Sequence, residues 1–247
     1  RLGDFYEMFF DDAKLVSREL ELTLTGRDCG LEERAPMCGV PYHSAEGYIA
    51  KLVRKGYKIA ICEQMEDPKL AKGLVKREII RRVTPGTVVE ASMLDENRNN
   101  FLGCVFAVQG GIGVCFADIT TGEVYATGSD NWQDIASELG RFAPREVLVG
   151  GTAATAESFH SFLKERLEAL IEPMPEECFD PQRAAARVMQ HFCIEDFDAA
   201  GLTDLPQTVQ CLGGLLDYLG ETQQASLAAL NHLQVYHQGQ YMELDLI

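Results

Sequence analysis

The sequence predicts an α/β protein of two domains, a mixed-sheet α/β domain followed by a second α/β domain. Three observations carry that expectation. Apolar residues recur at helical spacing in some segments and alternate as in strands in others, in an order that mixes the two throughout. The length, 247 residues with 46% apolar, suffices for one large domain or two medium ones, each with a core. The charge changes abruptly along the chain. Of 22 basic and 38 acidic residues, residues 1–91 hold 15 of each, leaving 7 basic and 23 acidic for the rest. A step of that size marks domains with different partners, and only the neutral first part suits an approach to phosphates.

The elements follow in order. From Glu7 to Leu20, Phe9, Phe10, Ala13, Val16 and Leu20 fit one helical face. Ser44 is placed to cap a second helix with the apolar stripe Tyr48, Ile49, Leu52 and Val53, and Gly56 to end it. Tyr57–Cys62 reads as a strand. Lys76–Val83 reads as another with one charged face, closed by the turn Thr84-Pro85-Gly86-Thr87. An extended stretch at 88–99 precedes three strands at hairpin spacing, Phe101–Val108, Gly113–Ile119 and Glu123–Thr127. A helix over Trp132–Phe142, a strand over Glu146–Val149 and helices near 156–168, 180–192 and 207–219 complete the pattern. Three antiparallel strands, then helix, strand and helix, is the order of a ribonuclease-H-like α/β domain. No internal repeat or low-complexity tract interrupts it.

Several classes are disfavoured. No run of about 18 uninterrupted apolar residues suits a membrane span. The first residues lack a signal-peptide pattern, and a start at Arg1 without Met suggests a piece of a longer protein. The eight cysteines form no C-x-x-C and several sit in apolar runs, so buried reduced thiols are expected rather than a disulfide framework or zinc. The five histidines show no ligand spacing, and no Walker A loop exists to bind ATP. Gly110-Gly111-Ile112-Gly113 has the spacing of a turn, not of a phosphate loop.

Three motifs carry possible chemistry. In Gly3-Asp4-Phe5-Tyr6-Glu7-Met8-Phe9, two aromatics and an acid sit at a strand-to-helix junction. They suit a core with a solvated first-turn acid. The alternative is an exposed ring that wedges into a base step, gaining about 1–3 kcal/mol per stacked base, beside a carboxylate that bonds a base edge. Lys69, Lys72, Lys76, Arg77, Arg81 and Arg82 face a single acid, Glu78, within their span. They form either a solvated face or a row of phosphate contacts. Asp118 and Glu123 flank Thr120-Thr121-Gly122, which reads as a hairpin turn. The rival reading is a metal-dependent nuclease of the ribonuclease H class, for which a third converging carboxylate is missing.

Four blocks in order make a specific resemblance: Gly3–Phe9, Pro36-Met37-Cys38-Gly39-Val40-Pro41-Tyr42-His43, Ile61-Cys62-Glu63-Gln64 and Val83-Thr84-Pro85-Gly86-Thr87. Together they resemble the bacterial DNA mismatch repair family MutS, strongly over 1–90 and more loosely over 91–240. The resemblance implies a mismatch-binding domain at 1–90, N-terminally incomplete, and a ribonuclease-H-like connector without nuclease activity at 91–240. Residues 241–247 would begin a core domain. It implies that Phe5 stacks on the mispaired base and that Glu7 hydrogen-bonds it. It also puts Arg27 and Arg77 near the DNA backbone, where the clustering of basic residues adds Lys72 and Lys76. The implied partners are mismatched double-stranded DNA, MutL through the connector, and a second MutS copy in the whole protein. ATP and Mg²⁺ belong to domains beyond this chain, so no cofactor and no catalysis are expected of it. The location implied is the bacterial cytoplasm, at the nucleoid. A third reading, a purely protein-binding fragment, would leave Phe5 idle.

Overall fold

The strand that opens the chain, β1 (Phe5–Phe9), begins behind a tight turn. Gly3 adopts a left-handed φ of 57°, and Leu2 and Phe5 exchange backbone hydrogen bonds across it. The computed structural model describes residues 1–30, 32–66, 75–94, 98–222 and 227–237. These form two compact units, 1–85 and 86–247.

In the first unit, β1 leads into α1 (Phe10–Leu20), then β2 (Thr25–Arg27), β3 (Ala35–Pro41), α2 (Ala45–Arg54), β4 (Ile59–Gln64) and β5 (Arg77–Val83). The expected helix from Glu7 is therefore corrected. Residues 5–9 pair antiparallel with β3, from Phe5 opposite Pro41 to Phe9 opposite Met37, and the helix starts only at Phe10. Cross-strand pairing overrides the helical spacing of the apolar residues. β3 is the middle strand of the order β1-β3-β2. Ala13 and Val16 of α1, Cys38 of β3 and Leu52 of α2 form the small core, with Met8, Tyr57 and Ile59 against it. Ser44 precedes α2 but caps no backbone N–H; its hydroxyl donates to Pro41 O instead. Gly56 ends the helix at a φ of 85°, as its position suggests. β4 and β5 make a separate antiparallel pair with an irregularity between Ile61 and Cys62. The single charged face expected of β5 is corrected: Arg77, Glu78, Ile79 and Ile80 are all exposed in succession.

The second unit contains β6 (Phe101–Val108), β7 (Gly111–Asp118), β8 (Glu123–Ser129), α3 (Trp132–Phe142), β9 (Glu146–Gly151), α4 (Glu157–Glu165), β10 (Leu170–Pro173), α5 (Pro181–Phe192), α6 (Pro206–Thr222) and β11 (His232–Val235). The sheet order is β10-β9-β6-β7-β8-β11. β6, β7 and β8 form the antiparallel meander; β9 lies parallel to β6, β10 to β9 and β11 to β8. This is the ribonuclease-H-like arrangement, a mixed sheet with one added edge strand.

Both sheet faces are covered, which is why β6 and β7 are apolar almost without alternation. Leu102, Cys104 and Phe106 face α5 and α6 in one core. Phe101, Val105 and Ala107 face α3 and α4 in the other. Asp180 accepts from the backbone N–H groups of Gln182 and Arg183, and Pro181 takes the first helical position, which together start α5.

Candidate nucleic-acid interface

Side chains alternate along β1, and the alternation separates two roles. Tyr6 and Met8 point inward: Met8 joins the core, and the Tyr6 hydroxyl donates to the Glu63 carboxylate of β4. Phe5, Glu7 and Phe9 point to the other face. Burial and the hydrogen bond to Glu63 push the Tyr6 phenol up to about 12, so it stays protonated at any physiological pH.

Phe5 is 47% exposed, the state the wedge reading needs. Its position is fixed although its ring is bare. The backbone exchange with Leu2 holds one side, and Tyr42 N–H donates to Asp4 O at 2.9 Å on the other. Tyr42 is also exposed, with the Arg1 guanidinium 3.9 Å from its ring centroid. A bare aromatic on a rigid strand end can enter a base step without first leaving a core.

Glu7 is held rather than free. Its Oε2 accepts from Arg27 NH1 at 2.5 Å, and its side chain is only 17% exposed. Arg27 comes from β2, at the far edge of the sheet, and its guanidinium lies 6.0 Å from the Phe9 ring. Between the two strands, Gly39 of β3 stands opposite Glu7. A Cβ there would lie 3.2 Å from Tyr6 O and 3.5 Å from Glu7 Cγ, so the glycine leaves the acid room to lean across β3.

Of the basic row, Lys76 and Arg77 lie exposed where β5 begins. Lys76 Nζ pairs with Glu78 at 2.6 Å, which raises its pKa above the ordinary value, and its N–H donates to Glu66. Arg77 donates to Val75 O at 3.3 Å. Lys69 and Lys72 lie outside the described residues. Arg27, a backbone candidate by the family resemblance, pairs with Glu7.

The acid pair of the nuclease reading is a hairpin device. Asp118 is wholly buried and accepts from Thr120 N–H at 2.9 Å, Thr120 Oγ1 at 2.6 Å and Asn100 N–H at 3.3 Å. Gly122 turns at a φ of 81°, and Glu123 pairs opposite Asp118 in the ladder. Thr120 closes the turn onto Asp118, and Asn100, just ahead of β6, ties the same carboxylate to the neighbouring strand.

Three other groupings escaped the sequence. Tyr6 and Glu63 meet across separate sheets. The role of Gly39 depends on a register that alternation alone does not set. The thiols of Cys104, Cys115 and Cys211 converge in the core of the second unit, all fully buried, with Cys115 and Cys211 Sγ 3.5 Å apart and Cys211 donating to Cys104 O at 2.9 Å. Burial pushes the Cys104 and Cys115 thiols well up, which keeps them protonated. The hairpin centred near Gly110 was the available signal, because it pairs Cys104 with Cys115. All eight cysteines are free thiols.

Among the described residues no helix is long and apolar enough to cross a membrane. Residues 1–92 match the family description MutS domain I and residues 100–234 match MutS domain II. The chain is 46% identical over 250 residues to the DNA mismatch repair protein MutS of Lachnoclostridium phytofermentans, covering 99% of this chain and 26% of that protein. It is 46% identical over 254 residues to the protein of the same name from Acetivibrio thermocellus, covering 100% and 28%. The chain therefore spans about a quarter of the length of these relatives. With both of its units matched in order, this chain belongs to the MutS family, of which it carries domains I and II.

Proposed function

We propose that this chain is the mismatch-reading and connecting part of a DNA mismatch repair protein. The carrying observation is Phe5: an aromatic ring left half exposed on a strand end whose backbone is pinned on both sides. A mispair weakens local stacking, so kinking the duplex and inserting a ring costs less there than in matched DNA. Phe5 stacks on the mispaired base, and Glu7, two residues along the same face, bonds its edge. Lys76 and Arg77, with Lys72, supply backbone contacts that position the duplex without reading it.

Residues 1–90 are the mismatch-binding domain, 91–240 the connector, and 241–247, outside the described residues, open a core domain. The connector relays the bound state to the rest of the protein and takes part in docking MutL. Its acidic surplus suits a protein partner better than a DNA groove. The chain itself catalyses nothing. ATP with Mg²⁺, and the pairing with a second MutS copy, belong to the whole protein, which works in the bacterial cytoplasm at the nucleoid.

The test is Phe5→Ala in the full-length protein, titrated by fluorescence against a matched duplex and one carrying a single mismatch. Mismatch preference is expected to vanish while weak duplex binding persists, a loss of about 1–3 kcal/mol confined to the mismatched site. An unchanged preference would refute the wedge.

A further inference from the structure

An exposed acid beside DNA poses a problem that the Arg27 contact answers. A free Glu7 carboxylate would have no fixed direction for its two oxygens. In this structure it is held. Arg27 NH1 meets Glu7 Oε2 at 2.5 Å, the Glu7 side chain is 17% exposed, and Arg27 keeps 44% of its own side chain open. The pair spans the whole sheet, from β1 to β2 across β3. Gly39 leaves the room for that crossing, and the Phe9 ring flanks the guanidinium on the same face.

We propose that Arg27 is a positioning residue for Glu7, and that it sets mismatch discrimination through that carboxylate and not through a phosphate. The guanidinium fixes one Glu7 oxygen, which leaves the other to meet a base. A charge-assisted contact of this kind holds the carboxylate in one direction. The proposal rests on the reading of Glu7 given above. It differs from a backbone contact in a measurable way. A cation that neutralises a phosphate contributes about one unit to the slope of log K against log salt, whereas a cation already paired with Glu7 contributes none.

The full-length protein is titrated by fluorescence anisotropy with matched and singly mismatched duplexes over a salt series. The variants are Arg27→Gln, Arg27→Lys, Glu7→Gln and the double Arg27→Gln/Glu7→Gln. Arg27→Gln is expected to lower the mismatch-to-match affinity ratio about tenfold, the worth of one charge-assisted hydrogen bond, with the salt slope unchanged. In the Glu7→Gln background the same change should cost nothing further, and Arg27→Lys should recover part of the ratio. Wild-type affinity for matched duplex certifies that each variant folds. Equal losses on both duplexes with a slope reduced by about one, or additive losses in the double variant, would make Arg27 a phosphate contact and overturn the proposal. If Glu7→Gln alone leaves the ratio intact, the base-reading role of Glu7 falls and this proposal with it. The Phe5 wedge would still stand or fall on its own variant.

Discussion

Phe5, Tyr6 and Glu7 are consecutive, yet each has a different physical position. Phe5 is bare, Tyr6 is bonded inward to Glu63, and Glu7 is held by Arg27. Tyr6 gives this scale its prediction. Its folded pKa is raised from 10.0 to about 12, so the stability it contributes is fully present below pH 10.0 and is lost as pH rises through about 12. Tyr6→Phe should cost about 1 kcal/mol near neutrality, for one hydrogen bond. The gap between the two proteins should then shrink across that alkaline window, as read from denaturant midpoints at stepped pH. A gap independent of pH would mean that the hydroxyl does not sense Glu63. At this scale the sequence revealed the residue types of the site, but not that Phe5 and Glu7 share a face, because Glu7 reads as the start of a helix and the strand over Phe5–Phe9 appears only in the structure. It could not show that Arg27, twenty positions on, turns back to Glu7. That contact needs the β1-β3-β2 order, which no local pattern encodes.

Elements were more legible than their partners. The helix at Trp132–Phe142 and the strand at Phe101–Val108 have the ends that their periodicity sets. β3 is not marked by periodicity, because Pro36, Gly39 and Pro41 interrupt it, yet all three stand in the ladder, Pro36 opposite Gly26, Gly39 opposite Glu7 and Pro41 opposite Phe5. The helix expected from Glu7 failed because Phe9 and Phe10 serve a strand end and a helix start, not one helical face. Glycines decide how close the elements approach. At Gly113 of β7, a Cβ would sit 2.3 Å from Gln207 O and 2.5 Å from Thr208 N, the backbone that starts α6. Thr208 Oγ1 anchors the same turn by donating to Thr127 O of β8 at 2.9 Å. Gly113→Ala must therefore lift α6 from the sheet, and about 3 kcal/mol of destabilisation is expected in chemical denaturation. Gly140, on the exposed side of α3, has open space around its Cβ position. Gly140→Ala should stabilise by about 0.4–1 kcal/mol. Equal effects of the two substitutions would refute the close approach at Gly113.

Across the whole molecule, charge divides the labour. Beyond residue 91 the chain holds 7 basic and 23 acidic residues, and two of those cations are committed to acids of their own, Arg141 to Glu138 and Arg187 to Asp217. Affinity for duplex DNA comes mainly from releasing counterions as cations replace them on phosphates. A surface this short of cations and rich in acids repels the backbone, and lowering the salt strengthens the repulsion by lengthening its range. The second unit carries its own two-sided core and is expected to fold as a separate piece. Residues 86–247, titrated by anisotropy with labelled duplex, should show no binding at any salt concentration, matched or mismatched. The salt dependence of the full-length protein must then arise from the first unit and from the three quarters of the relatives' length that this chain does not span. Binding by residues 86–247 that tightens as salt falls would show that the few cations of the second unit cluster into a phosphate-binding surface, and would break the link between the charge step and the division of function.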